Sequence, residues 1–79
     1  MKITPNRIVE YVLDRGPNKG KSRPAIVVRV WDHEQVNLQV FTDGDNDLEA
    51  SGMVWRGSVH YNEDTHKLGT WHWPPRSES

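Results

Sequence analysis

Three stretches hold residue types that could do chemistry. The first is Asp14-Arg15-Gly16-Pro17-Asn18-Lys19-Gly20-Lys21-Ser22-Arg23, where Arg15, Lys19, Lys21 and Arg23 set four positive charges against one Asp. It is the one local basic cluster in the sequence. Gly-rich backbone can form a nest of N–H groups, so this loop is a candidate to face an anion or phosphate. A solvated loop explains the same charges without a ligand. The second stretch, Asp43-Gly44-Asp45-Asn46-Asp47, sets side-chain oxygens at alternate positions, as at the start of a calcium loop. A calcium loop of that kind needs Gly at its sixth position and Glu at its twelfth. Counted from Asp43, those positions hold Leu48 and Val54. The match fails, and Asp-Gly and Asn-Asp read as turn formers.

The third stretch is Thr70-Trp71-His72-Trp73-Pro74. Two tryptophans at spacing two share one strand face, either as core or as an aromatic groove for a Pro-rich peptide. Stacking of single-stranded bases is a further use of such a platform. The acidic balance of the chain speaks against it. The four histidines, His33, His60, His66 and His72, form no i, i+2 or i, i+4 pair. His60 and His72 become neighbours if the last two strands pair antiparallel. A metal would still need further ligands, and the chain has no Cys. No Ser sits in a G-x-S-x-G elbow, and residues 16–21 do not fit the spacing of a phosphate-binding P-loop. No catalytic set, cofactor site or metal site is complete.

The elements that must position these residues are strands. Arg23-Pro24-Ala25-Ile26-Val27-Val28-Arg29-Val30-Trp31 and Val36-Asn37-Leu38-Gln39-Val40-Phe41-Thr42 are the densest β-branched runs. They read as a hairpin joined by Asp32-His33-Glu34-Gln35. In the first, Ile26, Val28 and Val30 are expected to point inward. In the second, Val36, Leu38, Val40 and Thr42 form the apolar row. Trp31 and Phe41 then fall on the opposite face, covering a barrel end or forming an exposed patch. Residues 8–13 make an earlier strand with Val9, Tyr11 and Leu13 on one face. Residues 53–61 make a later one with Met53, Trp55, Gly57, Val59 and Tyr61 toward the core, Gly57 marking a bulge or a place where another backbone or ring packs close. Residues 70–73 make the last, stopped by Pro74-Pro75. Residues 1–5 read as loose and 75–79 as a flexible tail. One domain spans 1–79, with an ordered core over about 7–74. Five strands, one long first loop and tighter later connections indicate an all-β fold, a small five-stranded SH3-like barrel.

Composition fits that reading. With 79 residues, 34% hydrophobic and no Cys, the core cannot lean on disulfides or on long Ala- and Leu-rich helices. A domain this small buries only about 60% of its unfolded surface. Four Trp, two Tyr and one Phe must supply much of the contact area. Ten Lys and Arg against eleven Asp and Glu give a net charge of −1. That lacks the basic surplus of a nucleic-acid binder. The longest apolar runs are too short to span a membrane, and no apolar signal region follows Met1.

The quoted strands, with Tyr11-Val12-Leu13, Gly16-Pro17-Asn18, the Thr42-Asp43-Gly44 turn and Gly69-Thr70-Trp71-His72-Trp73-Pro74, resemble a family of small bacteriophage and prophage proteins. The resemblance covers nearly the whole chain. It implies a phage or prophage origin and transfers no activity. A second resemblance covers residues 7–42 only, which are similar in layout to toxin endoribonucleases of the MazF and PemK type. Those have a first strand, a long Gly-rich loop, an Arg-Pro-apolar run and a Thr closing strand three. On that layout Arg23 and Thr42 fall on catalytic positions, Arg stabilising phosphate charge and Thr assisting proton transfer or positioning. The toxins continue into further strands and a terminal helix, whereas here a Trp-rich strand follows.

The expectation is therefore a non-enzymatic, phage-encoded interaction module that docks to a protein, either a virion component or a host factor. Its binding residues would be Trp31 and Phe41, with Arg15, Lys19, Lys21 and Arg23 as a second surface. No cofactor, metal, membrane or nucleic-acid partner is expected, and self-association is left open. The host cytoplasm is the expected place, with the virion as the other. The alternative is a ribonuclease or RNA-binding relative using Arg23 and Thr42.

Overall fold

A computed structural model describes residues 2–32, 34–47 and 51–75. Five strands are formed: β1 (Ile8–Val12), β2 (Ser22–Val30), β3 (Val36–Phe41), β4 (Met53–Tyr61) and β5 (Thr70–His72). They close into a barrel in the order β1-β2-β3-β4-β5, the small SH3-like architecture that the sequence indicates. Closure removes the free strand edges that would otherwise invite pairing with another chain. The β1–β2, β2–β3 and β3–β4 pairs are antiparallel, and β1 also pairs antiparallel with β5. The β4–β5 seam is parallel, with His60 opposite Thr70 and Tyr61 opposite Trp71.

The core is Val9, Tyr11, Ala25, Val27, Val36, Leu38, Val40, Val59 and Trp71, with Ile3 and Leu13 closing over it. β3 alternates as expected, with Val36, Leu38 and Val40 fully buried. β2 does not: Ala25 and Val27 face the interior, while Ile26 and Val28 are exposed. The cause is a bulge between Val27 and Arg29 in the β2–β3 ladder. Both rows of β2 are apolar apart from Arg29, whose charge makes the odd row look like the outer one. The bulge turns Arg29 out while leaving Ala25 and Val27 in, and Val30, beyond it, packs against the core. Pro24, the third residue of β2, sits where the β3 ladder has run out, since that pairing begins at Ala25 and Val40. Its missing N–H leaves no gap there.

β4 shows the same device. The expected bulge is present: the register shifts at Gly57 and Ser58, opposite Asn37, and Ser58 takes φ 54°. Its consequence is that the strand changes faces midway. Val59 and Tyr61 point to the core as expected. Met53 and Trp55, expected beside them, are 48% and 49% exposed, and Val54 takes the inner position.

The tryptophans therefore divide. Trp71 is 2% exposed and its indole N–H donates to the Glu34 carbonyl at 2.8 Å, fastening β5 to the β2–β3 turn. Trp73 packs partly buried against it. The leading segment is not loose either: Ile3 is in the core and the Asn6 N–H donates to the Val27 carbonyl. His33 and all of the expected tail except Pro75 lie outside the described residues.

Candidate functional site

The β1–β2 and β3–β4 loops share one end of the barrel, where the basic and acidic stretches meet. The basic loop closes as an extension of the hairpin. Leu13 and Lys21 share a backbone bond, and Gly20 donates to Leu13 from a left-handed φ of 93° that favours Gly. From this frame Arg23 reaches Asp47 in a two-pronged pair, Nε to Oδ2 at 2.7 Å and Nη2 to Oδ1 at 3.1 Å. Asn18 Nδ2 donates to the same Oδ1 at 2.9 Å, and the Asp43 N–H to Oδ2 at 2.7 Å. Four donors converge on a carboxylate whose side chain is 2% exposed. The Arg23 hydrogen bonds, then those from Asn18 and Asp43, hold the Asp47 carboxyl well below the usual carboxylate range.

The β2–β3 pairing ends at Ala25 and Val40, and Arg23 and Thr42 each lie two residues beyond that last pair. The guanidinium is nevertheless engaged by Asp47, so a phosphate would have to displace that partner. Of the other basic residues, Arg15 lies 3.9 Å from Asp14, and Lys19 and Lys21 are exposed. Arg56 completes this end, donating to the Tyr11 hydroxyl at 3.2 Å and lying 3.6 Å from Asp14. The calcium reading finds no geometry either: Asp43 takes the Asp45 N–H and the Asn46 amide on its own oxygens. That is a capped turn.

One constellation escaped the sequence. His72 is buried, with Nε2 2.9 Å from Glu10 Oε1 and 3.5 Å from Ser22 Oγ, and its ring stacks on His66 at 3.7 Å. The antiparallel pairing that would make His60 and His72 neighbours does not form: the β4–β5 seam is parallel and His60 lies opposite Thr70. A Ser-His-acid relay needs the hydroxyl and the carboxylate on opposite ring nitrogens. Here both lie on Nε2, while Nδ1 is buried without a hydrogen-bond partner among the described residues. The geometry is a structural clasp between β1, β2 and β5. Among the described residues no group of three or more His, Asp or Glu is placed to hold a metal.

The outer face of β2, β3 and β4 carries the expected aromatic patch in a larger form. Trp31 is 49% exposed, its indole N–H donating to Asn37 Oδ1 at 2.8 Å and its ring covered by the Arg29 guanidinium at 3.9 Å. Asn37 Oδ1 also accepts the Ser58 N–H of the β4 bulge, so one side chain ties Trp31 to that kink. Phe41 is exposed at the far end of β3, roughly 16 Å away at the rise of a strand. The two expected residues do not touch. Between them Ile26, Gln39 and Trp55 are successive partners across the three strands, with Val28 on one side and Met53 opposite Phe41 on the other; of these, Ile26, Val28, Met53 and Trp55 were expected inside. The Gly57 signal for this was in the sequence. Its meaning, a change of face at residue 58, was not.

Comparison with known proteins returns no match: no family model, no curated protein and no solved structure aligns with the chain.

Proposed function

We propose that this chain is a non-enzymatic protein-interaction module that engages a partner protein through the outer face of β2, β3 and β4. One observation carries the reading: Ile26, Val28, Gln39, Phe41, Met53 and Trp55 form a continuous outward surface without a charged residue. Charge depletion with aromatic and Met enrichment is the compositional mark of an interface centre. Its apolar members are 36–49% exposed, and the largest contiguous apolar patch on a monomer is often functional. The sequence resemblance to phage proteins supports a phage-encoded role, with a virion component or a host factor as the partner.

The test is Trp55→Ser and Met53→Lys, singly and together, scored for folding and for retention of a partner identified with the wild-type protein. Loss of about 2 kcal/mol or more of binding at Trp55, with folding intact, is expected of an interface anchor. Unchanged retention would remove the reading. Sedimentation of the free protein at two concentrations tells whether that partner is a second copy.

The second reading, an endoribonuclease or RNA-binding relative, has in its favour that Arg23 and Thr42 each lie two residues beyond the last β2–β3 pair, at one end of the barrel. RNA cleavage by the purified protein, abolished by Arg23→Ala in a variant that still folds, would establish it. The Asp47 pairing leads us to expect none.

A further inference from the structure

At the end of the barrel opposite the Arg23–Asp47 pair, a cavity of about 560 Å³ opens beside the β2–β3 turn, within the size range of small-ligand sites. Tyr61, Trp71 and Trp73 form its aromatic walls, and Val30, Asp32 and Glu34 line it from the turn side. The rings stand at steep angles to one another. Tyr61 and Trp71 are 4.6 Å apart at 48°, and Trp71 and Trp73 are 5.4 Å apart at 85°. Trp71 is buried at 2% exposure, whereas Tyr61 and Trp73, which line the same cavity, are part-exposed, and an exposed ring face attracts a cation through its negative electrostatic potential. Two carboxylates at the same cavity point to the same sign of charge; a purely apolar guest would gain nothing from them.

The cage is braced from behind. Glu63 Oε1 accepts the Tyr61 hydroxyl at 3.0 Å and the Trp73 N–H at 3.1 Å, so one carboxylate fixes two walls. Burial pushes the Tyr61 phenol up from its ordinary range, with Glu63 adding to the effect, and the ring stays neutral. Trp73 already receives a cation within this chain, the Arg7 guanidinium 5.6 Å from its centroid. Lys2 lines the cavity itself, so a lysine side chain is compatible with its chemistry.

We propose that this cavity binds the side chain of a lysine presented by a partner protein. The aliphatic stem packs on Ile3 and Val30. The ammonium group sits against the part-exposed rings of Tyr61 and Trp73, and the exposed Asp32 and Glu34 set the sign of the guest. Lys2 is the chain's own competitor for the same space. The site is independent of the β2–β4 outer face.

The experiment titrates ¹⁵N-labelled protein with a short peptide containing one central lysine, and with the same peptide carrying acetyl-lysine, following the indole signals of Trp71 and Trp73. The lysine peptide is expected to shift both signals, and acetylation to weaken binding about tenfold or more. Asp32→Asn together with Glu34→Gln is expected to weaken it roughly fivefold. Asn retains the Oδ1 that accepts the Glu34 and Gln35 N–H groups, so the turn is kept. Lys2→Gln is expected to tighten binding about twofold, an effect that an apolar groove would not show. Trp55→Ser should leave the titration unchanged, which separates failure here from failure of the outer face. Equal binding of the acetylated peptide, weaker binding by Lys2→Gln, or choline binding as tightly as the peptide would each overturn the proposal.

Discussion

The two ends of this barrel handle charge in opposite ways. At the end shared by the β1–β2 and β3–β4 loops, Arg23, Asp47 and Asn18 satisfy one another, with Arg56, Tyr11 and Asp14 beside them. At the other end, Asp32 and Glu34 stand at the mouth of an aromatic cavity sealed from below by Trp71. Of the basic residues that draw the eye in the sequence, Arg23 is spent on holding two loops together, Arg15 lies beside its neighbour Asp14, and Lys19 and Lys21 are exposed. Asp32 and Glu34, unremarkable in the sequence, are brought around open space with Trp71 and Trp73, which the sequence does single out. Local charge density is therefore a poor guide to a site; the useful question is whether the fold supplies a counter-charge.

The comparison breaks most severely at Trp71. Trp71→Ala removes the largest fully buried side chain and the hydrogen bond to the Glu34 carbonyl. A loss of about 3–5 kcal/mol is expected, enough to unfold so small a domain, read by denaturant unfolding.

Next in size is the opposite end. Asp47→Ala leaves Arg23 without its partner and unties the two loops, so the unfolding midpoint falls, though less than for Trp71→Ala. The same pair predicts a pH dependence. The folded Asp47 carboxyl titrates below its unfolded value near about 4. Its stabilisation is thus complete above that value and is lost as pH falls toward the folded pKa. Asp47→Asn should lower stability at neutral pH and flatten the acid limb of a stability-against-pH curve. An unchanged acid limb would mean that the pair does not form in solution.

Smaller still is the outer face. Trp55→Ser and Arg29→Ala should change stability by about 0.5 kcal/mol or less, because neither side chain is buried. A large loss at Trp55 would place it inside and undo the change of face at Ser58. Smallest is Arg15→Ala, whose exposed pair with Asp14 at 3.9 Å should give no measurable change in the unfolding midpoint.

The architecture was legible because β3 alternates without interruption and because glycine, proline and aspartate mark the turns. The faces of β2 and β4 were not. A bulge costs one residue of register, and everything beyond it moves to the other side of the sheet. At Val28 nothing in the sequence announces the bulge, since all its neighbours are β-branched or charged. At Gly57 the bulge was visible and the parity change that follows from it was not drawn. The parallel β4–β5 seam was also hidden, because side-chain alternation is the same for either strand direction. Trp31 and Phe41 were read correctly as outward. Their connection through Ile26, Gln39 and Trp55 depends on pairing across three strands, which no local pattern encodes. The cavity was out of reach for the same reason: Asp32 and Glu34 meet Tyr61, Trp71 and Trp73 only once the barrel closes.

The division of the tryptophans is the claim on which both surfaces rest, and indole hydrogen exchange measures it directly. The Trp71 Nε1–H, buried and bonded to Glu34, should exchange only with opening of the whole domain. The Trp55 indole N–H should exchange orders of magnitude faster. Equal rates for the two, or protection of Trp55 with rapid exchange at Trp71, would contradict the account.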